Sequence, residues 1–265
     1  MSQKASRHAV NMLVDTHTHI HNKNDRADSA EGIFKHAHEL GVDKIITIGT
    51  RPEDSLNAKE FAEKWAKNGE NIYWTFGFHP NEYAEIDRAD LTNTINVAQK
   101  ALKSPQNVGI GEIGLDYHFD GYDAQRQREL LEECLQLAQD TKKPVSFHVR
   151  DAFDDFWPIF DNFHLVTSVM HSFSDSKKNL RAALDRGLFI GVNGLATFAD
   201  IAHPPLERMV LETDAPYLTP KQFRGKMNKP GYVKYVAEWA AEYYKVDFDE
   251  VARITTANAE KIFEI

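Results

Sequence analysis

Only one cysteine, Cys134, stands in the 265 residues, so the chain cannot hold an internal disulfide framework. It lies among Leu130, Leu131, Leu135, Leu137 and Ala138 in a helical pattern, the setting of a buried, inert thiol rather than of a nucleophile. No apolar run approaches the length of a membrane span, and the N-terminus lacks the apolar stretch of a signal peptide. An excess of positive charge is missing too. Against 40 acidic residues there are 31 basic ones, a net charge of −9, which excludes a broad basic face for tight electrostatic binding of nucleic acid. Linkers rich in proline or glycine and low-complexity tracts are also absent. These absences describe a soluble, cytoplasmic chain, read as one domain over 1–265, a length at which α/β barrels commonly form a single unit.

What is present is a recurring series of short apolar runs. Strands are expected near Val10–Val14, Lys44–Gly49, Ile72–Gly77, Val108–Ile113, Pro144–Val149, Leu165–His171, Leu188–Val192 and Arg208–Thr213. They are nearly continuous in apolar, often β-branched residues, as strands buried on both faces should be. Amphipathic stretches separate them. The clearest, Gln125–Thr141, repeats Leu131, Cys134, Leu135 and Ala138 at helical spacing. Two further helices close the chain, one carrying Tyr232, Val236, Trp239 and Tyr243, the other Phe248, Val251, Ile254 and Ile262, with Asp247 and Glu250 placed as a capping pair. Eight strands alternating with helices imply a parallel sheet, either a TIM-type (β/α)8 barrel or an open doubly wound sheet.

The chemistry chooses the barrel. Val14-Asp15-Thr16-His17-Thr18-His19 puts two histidines at i and i+2 on an extended segment, so both rings point the same way and can share a cation. Alone, that motif is weak. It is joined by Gly77-Phe78-His79-Pro80, Gly111-Glu112-Ile113-Gly114, Phe147-His148-Val149-Arg150, Met170-His171-Ser172-Phe173 and Glu212-Thr213-Asp214. Ligand-type residues thus follow strands one, three, four, five, six and eight, and only a closed ring brings all of these to one place. Taken singly, each has a plain structural reading: a hydrogen-bonded histidine, Asp15 orienting a ligand or closing a loop, Asp214 capping a helix. Jointly they suit two cations better than one, since a tetrahedral site needs about four protein ligands or fewer. Glu112 is the natural bridge, with His17, His19 and Asp214 on the first ion and His148 and His171 on the second. Such ions, about 3.5–4 Å apart, would activate a water and clamp both oxygens of a phosphoryl transfer. Imidazole ligands favour Zn²⁺ or Mn²⁺.

Taken in order, Asp15-Thr16-His17-Thr18-His19, Gly77-Phe78-His79-Pro80, Gly111-Glu112-Ile113-Gly114-Leu115-Asp116-Tyr117, Pro144 to Arg150 and Leu211-Glu212-Thr213-Asp214-Ala215-Pro216-Tyr217-Leu218 closely resemble the motifs of the TatD family of deoxyribonucleases, from about Leu13 to Phe263. The resemblance implies a TIM-type barrel, two divalent metals and Mg²⁺-dependent nuclease activity, often 3′-to-5′ exonuclease action on single strands of DNA. It places the metal ligands on His17, His19, Glu112, His148, His171 and Asp214. The chain departs from the family pattern at Asp175, at His21, and in a short connection from strand seven to strand eight that abbreviates the seventh helix (around Thr197–Ala202).

For the substrate, His79 is assigned to a phosphate oxygen or the leaving group, with a structural histidine fixed by Pro80 as the alternative. Arg150 would grip a phosphate, unless it pairs with Asp151 or Asp154. The stretch Lys221, Arg224, Lys226 and Lys229, with Asn228 inside it, would bring local positive charge to the catalytic face, whereas Lys142 and Lys143 belong to the opposite one. Asp214 is the candidate acceptor of the water's proton. Trp74, Phe76, Phe78 and Tyr117 could stack bases, although Trp74 and Phe76 fit the core better. Two competing readings stand beside the nuclease. A related binuclear hydrolase of amides, lactones or phosphoesters is one, but many of those bridge their metals with a carboxylated lysine where this chain has Glu112. A barrel that binds nucleic acid without cutting is the other, and it would predict a broken ligand set.

Overall fold

A computed structural model describes residues 12–26, 28–85 and 91–265. Eight parallel strands stand in chain order around one sheet. They are β1 Leu13–Thr18, β2 Val42–Ile48, β3 Asn71–Phe78, β4 Asn107–Asp116, β5 Val145–Arg150, β6 Val169–Met170, β7 Phe189–Val192 and β8 Met209–Leu211. Helices α1 Ala30–Glu39, α2 Pro52–Lys67, α3 Leu91–Ala101, α4 Ala124–Thr141, α5 Phe153–Phe160 and α6 Lys177–Asp185 cross between successive strands. The fold is a nearly closed TIM-type barrel, as the alternation of elements and the spread of ligand residues required.

The seventh crossover lacks an α-helix. Between β7 and β8 the chain makes only short 3-10 turns at Gly194–Thr197 and Leu206–Arg208, so the abbreviation expected around Thr197–Ala202 is complete. The last two helices, α7 Val233–Tyr244 and α8 Phe248–Phe263, follow β8. Val14, Ile46, Ile48, Val108, Val169, Phe189 and Val210, drawn from six strands, meet one another across the barrel and pack against Ala259, Ile262 and Phe263 of α8. The C-terminal helix therefore stoppers the N-terminal end of the barrel. A larger apolar shell lies between strands and helices. It takes in Trp74, Phe76 and Phe78, together with Leu130, Leu131, Cys134 and Leu135 of α4. Cys134 is fully buried, and burial pushes its thiol well above its ordinary pKa, as an inert cysteine requires.

Several boundaries differ from the sequence reading. Val10 and Asn11 lie outside the described residues, and β1 runs on to Thr18, so His17 sits within the strand and His19 immediately after it. Glu112 and His148 likewise sit inside β4 and β5 rather than at their ends. The sixth strand shrinks from Leu165–His171 to Val169–Met170 because the first part of that run lies outside the barrel wall, with Val166 exposed. The eighth loses Arg208 to a 3-10 turn and ends at Leu211, with the Thr213 amide turned to the Asp15 side chain. The capping pair also fails. Asp247 occupies the N-cap of α8 but its side chain makes no capping bond.

The seam between β8 and β1 is closed largely by side chains. Thr16 Oγ1 donates to the Leu211 carbonyl at 3.0 Å. The fully buried Asp15 carboxylate accepts from the Thr213 amide at 2.9 Å and the Thr213 hydroxyl at 2.6 Å. Two backbone bonds then finish the closure, Asp214 N–H to the His17 carbonyl and His19 N–H to the Ala215 carbonyl, both 2.8 Å. Asp15 thus closes the ring rather than pointing at a ligand, the structural role allowed for it from sequence. Replacing Asp15 by Ala leaves two buried donors of Thr213 without an acceptor, and urea denaturation should show a loss of at least about 1–3 kcal/mol. An unchanged midpoint would contradict this role.

Candidate metal centre

The seam places three of the expected ligands together at the C-terminal end of the barrel. His17 Nε2 lies 3.5 Å from Glu112 Oε2 and 3.7 Å from Asp214 Oδ1. His19 Nε2 lies 3.9 Å and 3.3 Å from the same two oxygens. The other carboxylate oxygen of Glu112, Oε1, faces a second set of rings: His148 Nδ1 at 2.9 Å, His171 Nε2 at 3.6 Å and His79 Nε2 at 3.8 Å. Glu112 therefore divides five imidazoles between its two oxygens, two on one side and three on the other. Its access depends on neighbouring glycines. A Cβ on Gly77 would fall 2.5 Å from the Glu112 amide, and one on Gly114, where φ is +154°, would fall 1.7 Å from the His148 carbonyl.

Most of these rings are aimed from behind. His19 Nδ1 donates to the Ile48 carbonyl at 3.0 Å. His171 Nδ1 is 2.9 Å from Glu212 Oε1, an oxygen that also accepts from the Ser172 amide at 2.8 Å and the Asn193 amide group at 3.3 Å. His148 Nε2 is 3.0 Å from Asp116 Oδ2, which the Asn81 side chain holds at 2.9 Å. Carboxylates and carbonyls on the far nitrogen orient ligating histidines and make them better donors. Glu212 and Asp116, which sit against the far nitrogens of His171 and His148, were not assigned from the sequence. The signal was there: Glu212 stands two residues before Asp214, and Asp116 belongs to the same strand as Glu112.

A cation fits this donor set. His17 Nε2 is buried without a hydrogen-bond partner in the described structure, aimed between two carboxylates, where a neutral imidazole offers its lone pair. Burial, then the positive charge of His171, lowers the pKa of His17 despite Glu112. Burial would raise Glu112, but His171, His17 and His79 and the bond from His148 hold its carboxyl well below the usual range. Burial also opposes charge on His148 and His171. The bonds of His148 to Asp116 and Glu112 nevertheless push it up to about 9, and the charges of Glu212 and Glu112 push His171 up to about 10. Burial would raise Asp214, but the bond from His19 together with the charges of His171, His17 and His19 holds its carboxyl below its ordinary value.

His79 differs from the others. Burial lowers its pKa to about 4, so the ring is neutral. Its Nδ1 accepts the Asn81 amide N–H at 3.1 Å, which leaves the proton on Nε2, the nitrogen that faces the centre. A ring in that state presents an N–H and no lone pair there. His79 lies close enough to Glu112 and His148 to complete a third metal-type triad, but its tautomer suits a hydrogen-bond donor.

A cavity of about 540 Å³ opens over the cluster, lined by His79, Arg150, Leu195, Tyr217 and Leu218 among others. Arg150 reaches it with its guanidinium 5.5 Å from the ring centre of Phe119, rather than paired with Asp151 or Asp154. Arg224 lies over Phe198 at 4.7 Å. Asn228 is placed differently from the sequence reading, which set it against substrate. It is buried, and its amide group donates to the Thr213 and Tyr217 carbonyls at 2.8 and 2.6 Å while its oxygen accepts from Lys229 N. Asn228 therefore braces the loop after β8. Lys229 pairs with Asp28 at 2.5 Å. The two side-chain departures from the family pattern are internally satisfied. Asp175 accepts from Ser176 N and from the Asn179 side chain at the start of α6, and His21 is buried between Thr47 and Asp54.

A (β/α)8 barrel carrying this cluster of histidines and carboxylates at its C-terminal mouth defines a metal-dependent hydrolase. The chain belongs to the TatD-related DNase family, whose model, described as "TatD related DNase", matches residues 14–264. It is 34% identical, over 96% of its own length and 100% of the relative's, to a Bacillus subtilis protein described as the uncharacterized metal-dependent hydrolase YabD. It is 32% identical to the 3′-5′ ssDNA/RNA exonuclease TatD of Citrobacter rodentium, over 88% of this chain and 91% of that one. Among solved structures, YjjV, a TatD homolog from Escherichia coli K12, superposes with a TM-score of 0.87 at 28% identity, covering 97% of this chain and 99% of that one.

At neutral pH the imidazolium protons on His148 and His171 compete with a metal. Metal uptake should therefore release protons, and apparent affinity should climb with pH, flattening once the pH passes about 9 to 10. Competition with a chromogenic chelator across this range reads the slope, and an affinity independent of pH between about 6 and 8 would contradict the assignment. Glu212→Gln, which weakens the partner behind His171, should lower metal affinity about 10- to 100-fold without unfolding the protein, as read by the same titration with circular dichroism.

Proposed function

We propose that the protein is a metal-dependent deoxyribonuclease that hydrolyses DNA phosphodiester bonds, acting as a 3′-to-5′ exonuclease on single strands, at a site where Glu112 with His17, His19, Asp214, His148 and His171 would hold two divalent ions. The observation that carries the reading is the division of Glu112: Oε2 faces His17 and His19, while Oε1 faces His148 and His171. Asp214 Oδ1 completes the first group. The likeness to a relative named as a 3′-5′ ssDNA/RNA exonuclease supports a single-stranded nucleic acid and the polarity. Mg²⁺ follows from the family resemblance, whereas the imidazole-rich donor set favours Zn²⁺ or Mn²⁺.

Bound divalent ions would lower the pKa of a water and offset charge on the phosphoryl oxygens. This chain's own residues supply the rest. Asp214, ionised and beside both His17 and His19, is placed to take a proton from the attacking water. His79 presents its Nε2 proton into the cavity, where a phosphate oxygen or the departing oxygen can accept it. Arg150, on the cavity wall, offers a planar fork to a phosphate.

The competing amide, lactone or phosphotriester reading expects a carboxylated lysine on the fourth strand in many of its members. Residues Asn107–Asp116 contain none, and Glu112 takes that place.

Glu112→Ala and Asp214→Asn should each abolish turnover while leaving the fold intact. The assay is stepwise 3′-end shortening of a 5′-labelled single-stranded DNA with Mg²⁺, Mn²⁺, Zn²⁺ or chelator. Metal-dependent shortening that disappears in both variants is the expected result, and full activity of either in metal-free buffer would overturn the mechanism. His79→Ala should keep metal affinity but lower the turnover number by about 10²- to 10⁴-fold; equal losses of both would make His79 a ligand instead.

A further inference from the structure

The mouth of the barrel carries two exposed aromatic rings, each with an arginine on its face. Phe119, in the loop after β4, is 56% exposed, with the Arg150 guanidinium over it. Phe198, after β7, is 38% exposed, with the Arg224 guanidinium over it. The loops after β7 and β8 that hold this second pair are tied together by the Lys221 amide donating to Thr197 Oγ1 at 2.9 Å. Strand order sets the two pairs on different sides of the opening. Tyr217, 55% exposed, also lines the cavity, with its ring 6.1 Å from that of His19.

We infer that Phe119–Arg150 and Phe198–Arg224 are base-stacking platforms for the single strand on either side of the scissile phosphodiester, an assignment that rests on the nuclease reading above. A planar guanidinium on each ring shows that the face admits a flat, π-bearing group. A nucleobase displacing it would bury the ring, and the freed arginine would be within reach of the adjacent phosphate as a bidentate donor. The position of the cations matters because the chain is acidic as a whole, at −9; attraction for a polyanion has to come from local groups such as these. Bases paired in a duplex keep their faces covered by their neighbours, so this arrangement selects for unpaired strands. Trp74, Phe76 and Phe78 are buried and cannot take this part.

The test compares Phe119→Ala, Phe198→Ala and Phe198→Trp with a control, Tyr243→Ala, an exposed aromatic on α7 away from the mouth. One arm measures the preference, as a ratio of kcat/KM, for a short oligodeoxyadenylate over bis(p-nitrophenyl) phosphate, a diester without bases. The other measures binding of labelled strands in chelator by anisotropy, using oligodeoxyadenylate and an abasic strand of equal length. Each alanine variant should lower the preference about fivefold or more, Phe198→Trp should restore it, and only the base-bearing strand should lose affinity. A preference that does not move, or an equal loss on the abasic strand, overturns the inference. Should the wild type cleave neither diester, the nuclease reading fails, and the binding arm still decides. Ring-dependent affinity for the base-bearing strand then upholds the platforms, and absent or ring-independent binding overturns them.

Discussion

Keeping an ionised carboxylate in the centre of a protein without a countercharge costs several kcal/mol of desolvation. Glu112 is only 3% exposed, near the middle of a barrel strand, and that single fact organises what surrounds it. Positive charge must approach from the neighbouring strands, and it comes as imidazole. The raised pKa values of His148 and His171 suit them to carry the compensating protons. Divalent ions would do the same work with more charge and a fixed geometry. On the proposed reading, metal binding at this centre would displace those protons, and the carboxylates behind its rings, Asp116 and Glu212, orient His148 and His171.

The barrel is what lets five rings meet one carboxylate. Strands bring their C-terminal ends to a common mouth, and the β8–β1 seam sets the spacing of His17, His19 and Asp214 to within the reach of one ion. Much of that seam is made by Asp15 and Thr16, so stability and site geometry share the same bonds. The missing seventh helix belongs to the same economy. With only 3-10 turns between β7 and β8, the loops bearing Phe198, Leu195 and Leu218 pack close to the mouth instead of being carried away over a helix.

Most of the architecture was legible in the sequence because buried parallel strands write themselves as short apolar runs, and because His-x-His, Glu112 between glycines and Asp214 recur in or just after successive runs. What escaped has specific causes. The strand limits slipped at His17 and Glu112 because polar ligands interrupt the apolar pattern while the backbone continues as strand. Asn228 looked like a substrate contact from its basic neighbours, but two carbonyls of its own loop claim its amide group, which no linear pattern reveals. Asp247 and Glu250 had the right spacing for a capping box and yet made no such bond. Glu212 and Asp116 act through other residues, so only their distance from a histidine ring identifies them. The tautomer of His79 depends on the Asn81 amide, a contact set by the turn after β3.

The most direct test of the account is anomalous diffraction from crystals grown with Zn²⁺ or Mn²⁺. Two peaks about 3.5–4 Å apart, one beside Glu112 Oε2 with His17, His19 and Asp214 and one beside Oε1 with His148 and His171, are the predicted result. A single peak, or two that do not share Glu112, would contradict the bridging carboxylate on which the proposed chemistry rests.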